Sequence, residues 1–253
     1  MRDKLRTIDY FERRMIAIKE GIDLKYRRIE TGETPVDKVN RSKRSIVWDY
    51  ISIIGCKYSM GSSPVEFTRD VINAINTTDE SWDGFWKLND TKGNELNQYT
   101  LSAYDQMLWM LSLGYLLDIP NEYFQKLAGV IDRDQVKDFL FEFIIRAKLE
   151  KRQSITEESY QKFFYIPDTF KTLRQAITET NKETAAALVK RFVTREWYIK
   201  HRSTGWYNNH RCPFDLYHGY WCFESAAVVK IMGLDDGSFK EHKYYPKDLV
   251  NIE

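Results

Sequence analysis

The chain has 253 residues, of which 43% are hydrophobic and 15% aromatic, so it can build the core of one large domain or two small ones. This composition excludes a disordered chain, which would lack so many apolar side chains. Three cysteines, an odd number, exclude a disulfide framework and are typical of a reducing compartment.

The formal net charge of +1 conceals an uneven distribution of charge along the chain. Residues 1–45 hold 13 basic and 8 acidic residues, residues 46–145 hold 7 and 15, and residues 146–253 hold 18 and 14. The balances are therefore +5, −8 and +4. An acidic middle segment argues against a nucleic-acid surface there and favours a basic partner.

The first 20 residues carry charges throughout and contain no apolar core segment, so we predict no signal peptide. No stretch approaches the roughly 20 apolar residues that a membrane-spanning helix needs. We therefore expect a soluble cytoplasmic protein that has no membrane partner.

Helical periodicity dominates the N-terminal half. Apolar residues three or four positions apart predict four helices and a long loop between the last two. The helices cover residues 2–30, about 35–59, 64–75 and 96–117, and the loop covers about 76–95. The first two helices are long and closely connected, so they should pack antiparallel.

A turn around Pro120 predicts a boundary between two helical domains, residues 1–119 and 120–253. Further helices are predicted near 121–128, 134–148, 168–180 and 183–200, with Asp168 as an N-cap. The last helix, around 220–232, is apolar almost all the way round and should end at Gly233. Few runs alternate with a period of two. The predicted fold class is all-α, a multi-helix bundle of antiparallel helix pairs with few or no strands.

Five possible metal ligands lie within residues 201–222, namely His201, His210, Cys212, His218 and Cys222. Their spacing matches no zinc-site pattern, and Cys222 falls inside an apolar helix, where a cysteine behaves as a small hydrophobic residue. P-loop, GxGxxG, GxSxG and HExxH motifs are also absent. We therefore predict no catalytic residue, no cofactor and no metal site.

Glu224 lies among apolar residues of the last helix, and a buried carboxylate needs a partner. One interpretation is an acid/base role with a raised pKa. The other is a structural carboxylate held by a Tyr, His or Arg of a neighbouring helix, which we favour because a buried charge must be paired whatever the function.

The predicted loop combines carboxylates with tryptophans and is the best candidate for a surface site. Carboxylates attract and orient a basic partner, and exposed tryptophans supply contact area. The alternative is that the tryptophans fill the core beneath a solvated acidic loop. The predicted partner-binding residues are Asp79, Glu80, Trp82, Asp83, Trp86 and Asp90.

The C-terminal stretch carries a distinctive motif: Tyr217-x-Gly219-Tyr220-Trp221-x-Phe223-Glu224-x-Ala226-Ala227, Asp235-Asp236, and Tyr244-Tyr245-Pro246-x-Asp248-Leu249. It closely resembles the C-terminal motif of PoNi-type immunity proteins, the antidotes to polymorphic nuclease toxins of bacterial secretion systems. Trp197-Tyr198 and Trp206 resemble the lead-in of the same family. The Arg-rich first helix and the helix after it are similar to the family's N-terminal helical domain.

This resemblance implies an all-helical protein that binds a cognate DNase toxin stoichiometrically and blocks it without catalysis. A nuclease must attract phosphates, so its active-site face is electropositive and would suit the acidic segment. The motif itself is predicted to be core, with the binding residues elsewhere on the surface. Two alternatives remain open: a metal-dependent enzyme that uses Glu224 and the His/Cys cluster, and a helical scaffold without a toxin partner.

Overall fold

The computed structural model describes residues 1–82, 84, 86–160 and 165–251. By spatial proximity, the chain divides into two compact units. Unit 1 comprises residues 1–85 and 208–220, and unit 2 comprises residues 86–207 and 221–253. The predicted domains 1–119 and 120–253 divide the chain along the sequence instead, and that boundary stays a prediction.

Unit 1 is built on three helices, α1 (Ile8–Glu30), α2 (Val39–Met60) and α3 (Val65–Ser81), with a short 3₁₀ turn at Val36–Lys38. The Thr7 side chain caps α1 by accepting a hydrogen bond from a backbone N–H of its first turn. Helix α2 ends at Gly61, whose φ of 99° is the left-handed conformation that glycine adopts without strain. Helix α2 packs against both α1 and α3 and supplies the core of this unit.

Unit 2 contains eight helices among its described residues: α4 (Leu101–Leu116), α5 (Asn121–Arg133), α6 (Phe139–Lys148), α7 (Tyr165–Thr169), α8 (Lys171–Thr178), α9 (Lys182–Arg191), α10 (Trp197–Lys200) and α11 (Phe223–Met232). A π-helical turn, Phe192–Glu196, joins α9 to α10. Helices α4 and α11 are buried on nearly every side and pack on each other, so they form the centre of this unit. Gly233 ends α11 with a φ of 60°, as predicted.

Unit 2 also contains a small antiparallel hairpin, β1 (Lys87–Asn89) and β2 (Glu95–Tyr99). This is the single sheet among the described residues. The predicted fold class, all-α with few strands, is therefore confirmed. No helix in the described ranges is long and apolar enough to span a bilayer.

The predicted loop over residues 76–95 is wrong in two places. Helix α3 continues to Ser81, because the Thr77, Thr78 and Ser81 side chains are buried and donate to backbone carbonyls of the preceding turn, at 2.6–2.8 Å. This bonding lets hydroxyl residues remain inside a helix. The second error is the hairpin, which forms where no strand was predicted.

Other predicted helix boundaries also differ from the structure. The helix predicted over 96–117 begins at Leu101, the one near 121–128 continues to Arg133, and the one near 134–148 begins at Phe139. Helix α1 begins at Ile8 rather than at residue 2, since the Asp3 side chain accepts hydrogen bonds from the backbone of Leu5 and Arg6 and forms a turn there. Asp168 lies inside the short helix α7 and does not cap the next helix, which begins at Lys171.

Candidate functional site

The end of α3 carries the first group of predicted partner-binding residues. Glu80 is exposed, and its carboxylate lies 2.8 Å from the Lys43 ammonium of α2. Asp79 is partly buried. Trp82 is only 1% exposed. The expectation that Trp82 is an exposed anchor is therefore wrong, and its ring fills the core of unit 1 beneath the acidic end of α3.

The hairpin of unit 2 carries the second group. Asp90 accepts hydrogen bonds from the Asn94 side chain, the Asn94 backbone and the Lys92 backbone, at 2.8–2.9 Å. These bonds, led by the one from the Asn94 side chain, lower the pKa of Asp90, so it stays ionised while it shapes the turn. Trp86 is partly buried. Asp83 lies outside the described residues.

The negative balance of residues 46–145 is not all surface charge. Asp105, Asp134, Asp138 and Glu142 are each no more than 4% exposed. They account for four of the fifteen acidic residues in that segment. A charge count along the sequence therefore overstates how acidic its surface is.

The candidate metal ligands do not form one cluster. His210, Cys212 and His218 belong to unit 1, whereas His201 and Cys222 belong to unit 2. Among the described residues, no three His, Cys, Asp or Glu side chains are arranged to hold a metal ion. Burial, with a smaller contribution from nearby Arg14, lowers the pKa of His218 to about 3, so its imidazole is neutral.

Glu224 is fully buried in α11, and its Oε1 accepts a hydrogen bond from the Trp197 indole N–H at 2.7 Å. The partner is therefore a tryptophan and not the Tyr, His or Arg that we expected. Burial raises the pKa of Glu224 to about 7, although the nearby His201 charge opposes this rise. Its Oε2 atom has no hydrogen-bond partner among the described residues.

His201 and Asp105 extend this buried polar group. His201 Nδ1 lies 2.6 Å from the Trp197 carbonyl, and its Nε2 lies 3.2 Å from Asp105. Burial lowers the pKa of His201, but the Asp105 charge, the hydrogen bonds to Asp105 and Trp197, and the Glu224 charge together outweigh it, so the net shift is upward. Both ring nitrogens face acceptors, which suits the doubly protonated imidazolium.

Asp105 also holds a second indole, because its other oxygen accepts a hydrogen bond from Trp206 Nε1 at 3.3 Å. The two buried carboxylates therefore each hold one tryptophan. Asp105 was not among the residues predicted from the sequence, although a single Asp inside the apolar helix α4 is the kind of signal that indicates a buried polar contact.

Two protein-family models together match nearly the whole chain. The model of the PoNe immunity protein (PoNi) N-terminal region covers residues 2–129, and the model of the C-terminal region covers residues 136–249. The chain belongs to the PoNe immunity protein (PoNi) family. Family membership confirms the resemblance of the C-terminal motif and indicates an immunity protein against a nuclease toxin.

A solved structure shows the same fold. The crystal structure of protein PA2201 from Pseudomonas aeruginosa aligns with a TM-score of 0.67 at 14% sequence identity, covering 98% of this chain and 89% of that protein. At this identity the likeness concerns the fold alone. A search of curated proteins found no match.

Proposed function

We propose that this PoNi-family protein is a cytoplasmic immunity protein that binds a cognate DNase toxin in a stoichiometric complex. It covers the toxin's basic active-site face and excludes DNA, so it needs no catalytic residue, cofactor or metal of its own. The toxin acts in contact-dependent competition between bacteria and is delivered by a secretion system such as type VI. The observation that carries this proposal is the family match over both the N-terminal and the C-terminal regions.

The charge of the predicted site supports contact with a basic partner. Glu80 is exposed at the end of α3, where a basic partner would compete with Lys43 for its carboxylate, and Asp90 stays ionised in the hairpin turn. Carboxylates that face an electropositive cleft accelerate association and compete with phosphate groups for the same cations. We propose Asp79, Glu80, Asp83, Trp86 and Asp90 as contacts, while Trp82 supports the end of α3 from the core.

Charge reversal at Asp79, Glu80 and Asp83 together tests this contact. The probe is the catalytically inactivated nuclease polypeptide of the cognate toxin, and affinity is measured by calorimetry at physiological salt. We expect the dissociation constant to rise about tenfold or more, because reversed charges repel a basic cleft.

The matched control reverses three exposed glutamates of α1 in the same unit, Glu12, Glu20 and Glu30. This change alters the net charge equally and should leave the affinity within about twofold of the wild-type value. Unchanged binding by the variant at Asp79, Glu80 and Asp83 would show that the α3 end does not contact the toxin.

The enzyme alternative is weakened by the position of Glu224. Its carboxylate holds the Trp197 indole inside the core of unit 2. An enzyme would be favoured if the purified protein bound zinc in stoichiometric amount and lost it when His210 and Cys212 were replaced with alanine. A scaffold without a toxin partner would instead fail to capture the nuclease polypeptide at all.

A further inference from the structure

Three tyrosines form a row on unit 2, and we call Tyr198, Tyr207 and Tyr244 the tyrosine row. The Tyr198 ring lies 4.6 Å from the Tyr207 ring and 5.0 Å from the Tyr244 ring, between centroids, and it stacks on Tyr244 at an interplanar angle of 22°. All three side chains are partly exposed. The side chain of Ile199, the residue that follows Tyr198, is 58% exposed.

The buried carboxylates of unit 2 hold the residues that support this row. The Trp197 ring contacts Tyr244 at 5.3 Å between centroids and stacks on Trp206 at the same distance, and the Trp206 ring lies 6.4 Å from Tyr198. Glu224 fixes one indole and Asp105 the other, as described above. A row backed in this way is rigid before a partner arrives, so little side-chain entropy is lost on binding.

Three exposed cations lie close in sequence to residues of the tyrosine row. Arg195 precedes Tyr198 by three residues, Arg202 follows it by four, and the Lys243 ammonium lies 4.8 Å from the centre of the Tyr244 ring. Among the residues that the structure describes, none forms an ion pair with any of these three cations.

The nearest acidic side chains in the sequence already have partners. Glu196 pairs with Arg191 and Lys200, and Glu241 pairs with Lys247. The charge of Arg195, Arg202 and Lys243 is therefore not balanced by these neighbouring carboxylates.

Tyrosine and arginine are the residues most enriched where binding energy concentrates in protein interfaces. Guanidinium groups bind carboxylates with two parallel hydrogen bonds, and phenol hydroxyls donate to the same acceptors. Burial and the neighbouring Tyr198 and Tyr207 raise the pKa of Tyr244, so its hydroxyl remains a donor at every physiological pH. These features together suit an acidic polypeptide.

We propose that the tyrosine row, with Arg195, Arg202 and Lys243, is a docking surface for an acidic segment of the toxin polypeptide. This inference rests on the proposed immunity function and adds a second point of attachment, of opposite charge, to the acidic contact with the nuclease face.

A nucleic acid fits this surface less well. Single-stranded nucleic acids bind by stacking their bases on open aromatic faces. Here the face of Tyr198 is stacked on Tyr244, and Tyr244 also carries the Lys243 ammonium against its ring. Rings that are already stacked in this way leave less aromatic surface for nucleic-acid bases.

The test reverses the three cations together, R195E/R202E/K243E, in the full-length chain. The probe is again the catalytically inactivated nuclease polypeptide of the cognate toxin, and affinity is measured by calorimetry at low and physiological salt. We expect the dissociation constant to rise at least tenfold at physiological salt, with a weaker dependence of affinity on salt. The matched control, K151E/K171E/K190E, reverses three exposed cations elsewhere on unit 2 and should bind like the wild type.

A second variant, Y198F/Y207F/Y244F, removes the hydroxyls and keeps the rings, so it tests hydrogen bonding without emptying the row. We expect it to weaken toxin binding severalfold in a variant whose circular dichroism spectrum shows that it still folds. Wild-type affinity in both variants overturns the proposal. A second result would also overturn it. In that result the wild type binds single-stranded DNA or a second copy of itself, both variants abolish this binding, and toxin binding persists in both.

These outcomes are separable from failure of the proposed function. If the wild-type chain does not bind the nuclease polypeptide at all, the immunity function fails and the docking surface fails with it. If the wild type binds and the variant at Asp79, Glu80 and Asp83 is weakened, but the cation variant is not, only the tyrosine-row proposal is overturned.

Discussion

Replacing Glu224 with glutamine tests the buried polar group of unit 2. Glutamine keeps an oxygen that can accept the Trp197 indole hydrogen bond, which spans 2.7 Å in the wild type. It cannot ionise, so it removes the cost of charging a fully buried carboxylate. The Oε2 atom accepts no hydrogen bond from a described residue, so the NH₂ group that replaces it breaks no existing bond, and its desolvation penalty of at most about 1–3 kcal/mol does not depend on pH.

The expected pH dependence follows from the raised pKa of Glu224, about 7 in the folded protein against an ordinary value of 4.5. Below the ordinary value, the carboxyl group is protonated in both folded and unfolded chains. As pH rises towards 7, the unfolded chain releases the proton first, so the wild type loses stability through this window. At 1.36 kcal/mol for each pKa unit, the loss is about 3 kcal/mol and is nearly complete at about pH 8.

Urea denaturation of the wild type and of Glu224→Gln across about pH 4.5 to 8 measures this difference. We expect the free energy of unfolding of the variant to rise relative to the wild type by about 3 kcal/mol over the range. Other carboxyls with raised pKa values, such as Asp138, affect both proteins alike and cancel. Glu183→Gln, at an exposed site, should run parallel to the wild type. If the free energy of unfolding of Glu224→Gln also ran parallel to that of the wild type across this pH range, the argument would be refuted.

Two further predictions concern packing and ion pairing. A Cβ on Gly55 would lie 2.7 Å from the backbone oxygen of His218, so Gly55→Ala should destabilise unit 1 by about 1–3 kcal/mol in urea denaturation. A Cβ on Gly21 would meet no atom within 4 Å, so Gly21→Ala should instead stabilise α1 by about 0.5–1 kcal/mol. Equal effects of the two substitutions on stability would contradict the reasoning. Arg152→Ala removes the ion-pair partner of Glu142, whose side chain is 5% exposed. We expect the free energy of unfolding to fall by about 3 kcal/mol in thermal denaturation, and a fall of less than about 1 kcal/mol would rule out a buried ion pair.

The long helices and the C-terminal centre could be predicted from the sequence, because their apolar patterns are local. Helix α11 is apolar on all sides and is buried, and Gly233 ends it in the left-handed conformation. The family motif was also readable, because it preserves unusual residues in order.

Contacts between distant parts of the chain could not be predicted from local pattern. The segment 208–220 belongs to unit 1, far from residues 1–85 in sequence. Trp82 looks like an exposed anchor beside acidic residues, yet it is buried, because a tertiary contact decides its burial. Asp105 and the Trp197 partner of Glu224 were missed for the same reason, since the hydrogen bonds that satisfy a buried carboxylate join distant residues.

The central claim is that the chain neutralises a nuclease by binding it. Mixing the purified wild-type protein with the active nuclease polypeptide of the cognate toxin, and following DNA cleavage, tests it directly. We predict that cleavage falls linearly with added protein and stops at one molecule for each toxin molecule. Full cleavage in the presence of a molar excess of the protein would contradict the account.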